Sequence, residues 1–388
     1  MTVTAEVATE EPLEDIDRGV TSLELFFDLV FVFAITQVTS LMGHDPTWRG
    51  LGHGLLVLVV LWWTWAAYAW LTNAVNPDQD VNRLAVFASM AALLIASLAV
   101  PRAFAGDAVL FACAYFVVRA LHIVLFARGA PDVGVEQAIY RLAPTMLGAA
   151  LVLLAAGLVG SVTARWLLWC VAIAIDIGGV MLSDMRGWRI SPGHFAERHG
   201  LFVIIALGES IVAVGVGASE LDAEIVVAAL LGIVIAAALW WAYFDVVALV
   251  AQRKLSEAEG LARVKMARDS YSVLHLPMVG GIVLLAFGIK MSLAHIDHPL
   301  ATVPAIGLCG GVAMYFLAHV AFRLRNVHTL SRRRVVVAVL LVATIPLATH
   351  VDALAAVGFV AVVCAALIAY ETVRYREARA RVRARVAD

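Results

Sequence analysis

Ile225-Val226-Val227-Ala228-Ala229-Leu230-Leu231-Gly232-Ile233-Val234-Ile235-Ala236-Ala237-Ala238-Leu239-Trp240-Trp241 holds no charged residue and no proline. A helix of this composition has no polar face to turn to water, because its apolar residues occupy every side of the 3.6-residue turn. Taken from Ile225 to Phe244 and at about 1.5 Å per residue, the uncharged run is about 30 Å long, the thickness of a bilayer's hydrocarbon core. The stretch reads as a transmembrane helix. The rest of the chain has the same character: of 388 residues, 62% are hydrophobic and 15% charged, and the formal net charge is −2. Mean hydropathy is +0.90. A soluble domain carries about 25% charged residues, so a soluble globular fold is excluded. The near-zero net charge offers nothing to a nucleic-acid partner.

Apolar runs bounded by charge, glycine or proline divide the chain into twelve spans, at 22–42, 50–72, 84–101, 108–127, 140–160, 165–183, 199–219, 224–250, 270–293, 302–322, 335–351 and 353–373. The expectation is an all-α polytopic membrane protein of about twelve transmembrane helices. Sorting lysine and arginine tests the count, since positive residues stay on the cytoplasmic side. Of the 28 basic residues, 23 fall in the two tails and every second loop, whereas Arg49, Arg102 and Arg165 make up the other set. A miscount of one helix would scramble that asymmetry. It predicts a multi-pass membrane protein with both termini cytoplasmic.

Residues 1–21 read as an acidic cytoplasmic tail with no cleavable signal, and 374–388 as a basic cytoplasmic tail. Between them, 22–183 and 199–373 read as two six-helix repeats joined by a cytoplasmic connection at 184–198. Leu61-Trp62-Trp63 recurs as Leu239-Trp240-Trp241 at an offset of 178, Tyr115-Phe116 as Tyr315-Phe316 at 200, and Cys170 as Cys364 at 194. Because six is even, such repeats insert the same way up, and sites of this architecture lie where the halves meet. Cys113, Cys170, Cys309 and Cys364 all fall inside spans, which suits small packing residues better than a disulfide framework or a metal cluster.

A charge at the bilayer centre costs about 2.5–3.5 kcal/mol on insertion scales, so the ionisable residues inside spans are the functional candidates. Glu24 and Asp28 in the first span are four apart and share a helix face. Glu209, followed by Ser210, lies in the seventh span, and the 178 offset aligns it with Phe31, about one turn beyond Asp28. Arg198 and His199 begin that span. Each has a structural alternative: Glu24 as a helix N-terminal residue, Asp28 and Glu209 as partners of Arg119 or Lys290. Arg119 with Tyr115 and His122 forms a polar stripe suited to a counter-charge; Asp176 and Asp245 complete the buried set, Asp245 with a cavity mouth as its alternative place. His194, Glu197 and His199 invite a metal reading, but positions five apart lie about 140° apart around a helix. No metal or cofactor is expected. No nucleotide loop or nucleophile elbow occurs.

Two motifs carry a resemblance. Glu24-Leu25-Phe26-Phe27-Asp28-Leu29-Val30-Phe31-Val32-Phe33-Ala34, and the run from His194 through Glu197-Arg198-His199-Gly200-Leu201-Phe202 to Leu207-Gly208-Glu209-Ser210, resemble the signatures of the bacterial low temperature requirement protein A family. The family name refers to growth in the cold and implies a membrane protein without implying a reaction. Phe27-Asp28-Leu29-Val30-Phe31-Val32-Phe33-Ala34-Ile35-Thr36 is also similar to the first helix of a family of organellar and bacterial potassium channels built from six-helix repeats, which implies that first helices line a path. The sequence departs from that pattern where Phe27 replaces a serine and where Leu207-Gly208-Glu209 stands in the seventh span. The expected function is therefore a transporter or channel moving a cation, proton or small solute between the first and seventh helices. A membrane-embedded enzyme acting on a lipid, with the carboxylates as acid/base groups, is the alternative, and a structural or sensory protein of the membrane a third. The expected partners are the bilayer, the transported species and a second copy in a homo-oligomer.

Overall fold

The computed structural model describes residues 19–217, 222–377 and 379–380. The acidic tail up to residue 18 and the basic tail from 381 lie outside the described residues. In chain order the helices are α1 (Ser22–His44), α2 (Trp48–Ala74), α3 (Asp80–Ala99), α4 (Ala108–Gly129), α5 (Val133–Leu158), α6 (Val162–Leu182), α7 (Pro192–Gly217), α8 (Ala223–Phe244), α9 (Val247–Glu257), α10 (Gly260–Met266), α11 (His275–Ala294), α12 (Thr302–Ala305), α13 (Gly311–Val327), α14 (Arg332–Ala343), α15 (Ile345–Ala348) and α16 (Ala353–Arg374). Two π-helical turns, Ala267–Val273 and Ile306–Gly310, join α10 to α11 and α12 to α13. No strand forms among the described residues beyond an isolated bridge between Pro299 and Asp352.

Among the described residues, eleven helices are long and apolar enough to cross a membrane. The segment expected as the eleventh span is apolar but not one helix: it breaks at Thr344 into α14 and α15. Pro346 supplies the reason, since it has no N–H to give to the carbonyl of the preceding turn. Helix starts follow local chemistry. Thr21, Thr47, Asp132, Ser161 and Asp222 each accept a backbone N–H from the first turn of the helix they open, which satisfies donors that have no partner within the helix.

α11 forms the centre, buried along most of its length and packed against α7, α13 and α1. It approaches α13 through glycine: a Cβ on Gly281 would lie 2.6 Å from the Gly311 carbonyl oxygen, and one on Gly311 would lie 2.7 Å from that of Gly281. Such mutual close approach is how membrane helices gain contact where no hydrophobic effect drives them together. α6 lies at the rim and buries only Trp169, Ala172 and Asp176. Leu29, Leu98, Leu158, Leu167, Leu230, Val336 and Val362 are among the exposed apolar residues that face outward, as a lipid-facing belt requires. The paired tryptophans of the internal match differ in setting: Trp62 and Trp63 are buried, whereas Trp240 and Trp241 are exposed.

Candidate functional site

α1 and α7 run parallel and meet in a single register. His194 Nε2 lies 3.0 Å from Glu24 Oε1, and Arg198 donates through Nη2 to Asp28 Oδ1 at 3.0 Å. Thr39 donates to Glu209. In all three pairs the partners are 170 residues apart, so one helical register holds for four turns.

At the N-terminal end of the pair, Glu24 does two things. It closes a capping box with Thr21, accepting that residue's backbone N–H at 2.9 Å, so its structural alternative holds, and it also receives His194. Asp28 is fully buried and accepts a second bond from Trp65 Nε1 on α2 at 2.9 Å. Arg198 is fully buried, with its guanidinium 5.8 Å from the Trp65 ring centroid. Asp28 Oδ2 and Arg198 Nε and Nη1 have no hydrogen-bond partner among the described residues. The structural alternative for Asp28 paired it with Arg119 or Lys290; its partner is Arg198 instead, because residue 198 on α7 stands level with residue 28 on α1.

Glu209 lies elsewhere. Its carboxylate receives Thr36 Oγ at 2.6 Å and the Thr39 hydroxyl, and it pairs with no basic residue among the described residues. It stands level with Thr39, eleven residues along α1 from Asp28, which is about 16 Å. The expectation of a one-turn separation is thus corrected. The 178 offset compares sequences of the two halves, whereas packing staggers α1 and α7 at 170, and eight residues separate the two registers. Ser210 is buried beside Glu209, with its Oγ unpartnered among the described residues.

An aromatic layer separates the two levels. Phe202 on α7 packs at 4.2 Å from Trp65, 5.4 Å from Trp62 and 6.1 Å from Phe31, centroid to centroid. All four side chains are buried. The candidate site is therefore two polar stations on one interhelical seam, with an apolar plug between them.

The remaining predicted residues divide. His199 leaves the seam: its Nδ1 bonds the Phe195 carbonyl at 2.8 Å and its ring packs against Trp65, Tyr271 and His275. Glu197 is exposed and accepts from the backbone N–H of Val20 at 3.3 Å. Its three-residue grouping with His194 and His199 consequently diverges to three different partners. Arg119 is the counter-charge of Asp176, not of the α1 or α7 carboxylates, at 2.7 and 3.0 Å to its two oxygens. Tyr115 adds a bond to Asp176 at 3.3 Å, and His122 Nε2 meets the Ala67 carbonyl at 3.0 Å; this cluster belongs to α2, α4 and α6. Asp245 lies at a cavity mouth, as its alternative placed it, in an ion pair with Arg379.

Sequence reasoning missed Thr36, Thr39, Trp65 and Phe202. A signal existed for the threonines: positions 24, 28, 32, 36 and 39 fall on one face of α1, so the carboxylate stripe continues into hydroxyls with Val32 between. Nothing local marked Trp65, whose value depends on α2 packing against α1.

A bundle of long apolar helices that buries Asp28 against Arg198 and Asp176 against Arg119 in its interior is a multi-pass membrane protein. The family model of the bacterial low temperature requirement A protein (LtrA) matches residues 19–369. The chain belongs to that family. It is similar to an uncharacterised protein of Rhizobium meliloti (strain 1021), 30% identical over 310 residues that cover 75% of this chain and 74% of the relative.

Proposed function

We propose that this protein moves a proton or small cation along the α1–α7 seam, with Glu209 as the carrier and the Glu24/Asp28 station as a charge-paired gate. The observation that carries this reading is the partner set of Glu209: a buried carboxylate held by two hydroxyls and in no ion pair among the described residues, with the Lys290 ammonium acting on it only from beyond ion-pair distance. A carboxylate in hydrocarbon requires a proton or a cation where no arginine, lysine or histidine neutralises it. The hydroxyls are suited to both. Thr39 lies 2.9 Å from the Ile35 carbonyl and Thr36 lies 3.1 Å from that of Val32, and each hydroxyl has one proton to give. A protonated Glu209 can donate to Thr39 and free that hydroxyl to satisfy its carbonyl; an ionised Glu209 draws both hydroxyls to itself or shares them with a cation. The Phe31, Trp62, Trp65 and Phe202 layer supplies an apolar barrier of the kind that gates by excluding water. The carboxylates of the gate are spent on His194 and Arg198 within the packed seam, which favours transport over the alternative of acid/base catalysis on a lipid.

The same proposal includes a twelve-span, two-repeat topology in the inner membrane with cytoplasmic termini, α14 and α15 together forming the eleventh span. Neighbour relations support it: α1 on α3, α3 on α4, α4 on α5, α5 on α6 and α2 on α6 recur as α7 on α11, α11 on α13, α13 on α14, α14 on α16 and α8 on α16. The parallel run of α1 and α7 also requires an odd number of crossings between them, as five spans from α2 to α6 supply.

Purified protein in liposomes, given a pH gradient or a sodium or potassium gradient, is the test. Flux that falls to the level of empty vesicles in Glu209→Gln, and is reduced in Thr39→Val, is the expected result. Flux unchanged in Glu209→Gln, or none in the unmodified protein under any of these gradients, refutes the reading.

A further inference from the structure

A cavity of about 610 Å³ opens where the end of α8, the start of α9, α13, the N-terminus of α14 and the end of α16 converge. Five arginines line it, Arg323, Arg332, Arg333, Arg334 and Arg379, against the carboxylates Asp245 and Glu371. Both carboxylates are already matched. Arg334 forks onto Glu371 at 2.9 and 3.1 Å, and Arg379 pairs with Asp245. Arg333 lies over the Tyr370 ring at 4.6 Å. Arg323 gives its Nε to Thr329 at 2.8 Å, and neither it nor Arg332 forms an ion pair among the described residues. The cavity wall is therefore left with an uncompensated positive charge of three guanidinium groups.

Two further features converge there. Ser331, the residue before α14, makes no side-chain cap, so the first N–H groups of a twelve-residue helix border the cavity with their dipole unanswered. His319 on α13 borders it too, 1% exposed, with Nδ1 committed to the Tyr315 carbonyl at 3.0 Å and Nε2 unpartnered among the described residues. With its proton on Nδ1, the imidazole presents a lone pair at Nε2 and accepts from a hydroxyl.

We infer that this cavity is a binding site for a phosphate-bearing anion, held by Arg323, Arg332 and the α14 N-terminus, with His319 receiving a hydroxyl of the same ligand. Guanidinium groups match phosphate oxygens in pairs, and His319 selects a ligand that carries an O–H beside its charge: a protonated phosphate or a hydroxylated phospholipid headgroup. Trp241, Tyr370 and Tyr375 are each at least 40% exposed at this level, the setting of an interfacial aromatic belt. The site is separate from the α1–α7 seam and stands or falls without it.

Full-length protein in nanodiscs distinguishes the sources. In phosphatidylcholine discs, inorganic phosphate is titrated by calorimetry; in a second arm, phosphatidylglycerol is added to the discs and bound lipid is counted by native mass spectrometry. The variants are Arg323→Gln, Arg332→Gln and His319→Phe, with unfolding temperature in the absence of ligand as the check on folding. Saturable phosphate binding that weakens about tenfold per arginine removed establishes the free anion as ligand; retention of phosphatidylglycerol, lost in the same variants while phosphate gives no heat, establishes the lipid. Binding of neither probe overturns the inference, as does binding of either that all three folded variants leave unchanged.

Discussion

Removing Arg198 isolates the buried charge of Asp28, and the cost can be worked from the seam. In Arg198→Met, Asp28 keeps only the Trp65 indole bond, because its Oδ2 has no other donor among the described residues. Leaving a buried charge unpaired costs about 3–5 kcal/mol. Asp28 has an escape that limits this: it can take up a proton. For a carboxyl whose unfolded pKa is about 3.9, holding it neutral in the folded state costs about 4 kcal/mol at pH 7 and about 1.5 kcal/mol at pH 5. The variant's carboxyl then binds its proton more tightly folded than unfolded, so stability is recovered as pH falls. Asp28→Asn is the opposite case. It strands Arg198, which cannot shed its proton, and its cost stays level across the same interval. Unfolding by SDS in mixed micelles, followed by tryptophan fluorescence at pH 7 and pH 5, measures both. The expected result is a penalty for Arg198→Met of about 3–4 kcal/mol that shrinks by about 2.5 kcal/mol on acidification, a penalty for Asp28→Asn that does not shrink, and a double variant less damaged than the sum. Penalties below about 1 kcal/mol in both single variants, or an Arg198→Met penalty independent of pH, would refute the pairing.

Glycine at the α11–α13 contact gives a steric prediction: Gly281→Ala places a Cβ 2.6 Å from a backbone oxygen and 2.8 Å from a backbone nitrogen, and should cost about 1–3 kcal/mol, whereas Gly208→Ala meets nothing within 4 Å and should unfold with the unmodified protein in the same assay. Asp176→Asn should destabilise by about 3 kcal/mol by stranding Arg119, yet leave flux per folded molecule unchanged, since that pair lies away from the seam; a selective loss of flux would show the pair to be part of the path.

Much of the fold was legible because lipid imposes a simple rule. A backbone without water must bond to itself, so an uncharged run such as 225–244 has to be a helix. The broken eleventh span was not read as broken, since hydropathy is blind to the single proline that divides it. The candidate site was half legible. Glu24, Asp28, Arg198 and Glu209 declared themselves by cost, being ionisable where ionisation is expensive, and His194 by its place in a motif. Their pairing did not. Asp28 was offered two cations, Arg119 and Lys290, neither of which it meets, and Glu209 was placed one turn from it when it lies about three turns away.

Sequence by itself determined that the chain is a membrane bundle and which residues could not be there without a partner, because both follow from one residue's transfer energy into hydrocarbon. Tertiary structure alone decided that Asp28 meets Arg198, that Asp176 takes Arg119, and that Glu209 is left to two threonines. The seam pairs depend on the 170-residue stagger between α1 and α7, and the Arg119 pair on the stagger between α4 and α6; stagger is set by how side chains interlock between helices, a property that no local periodicity encodes.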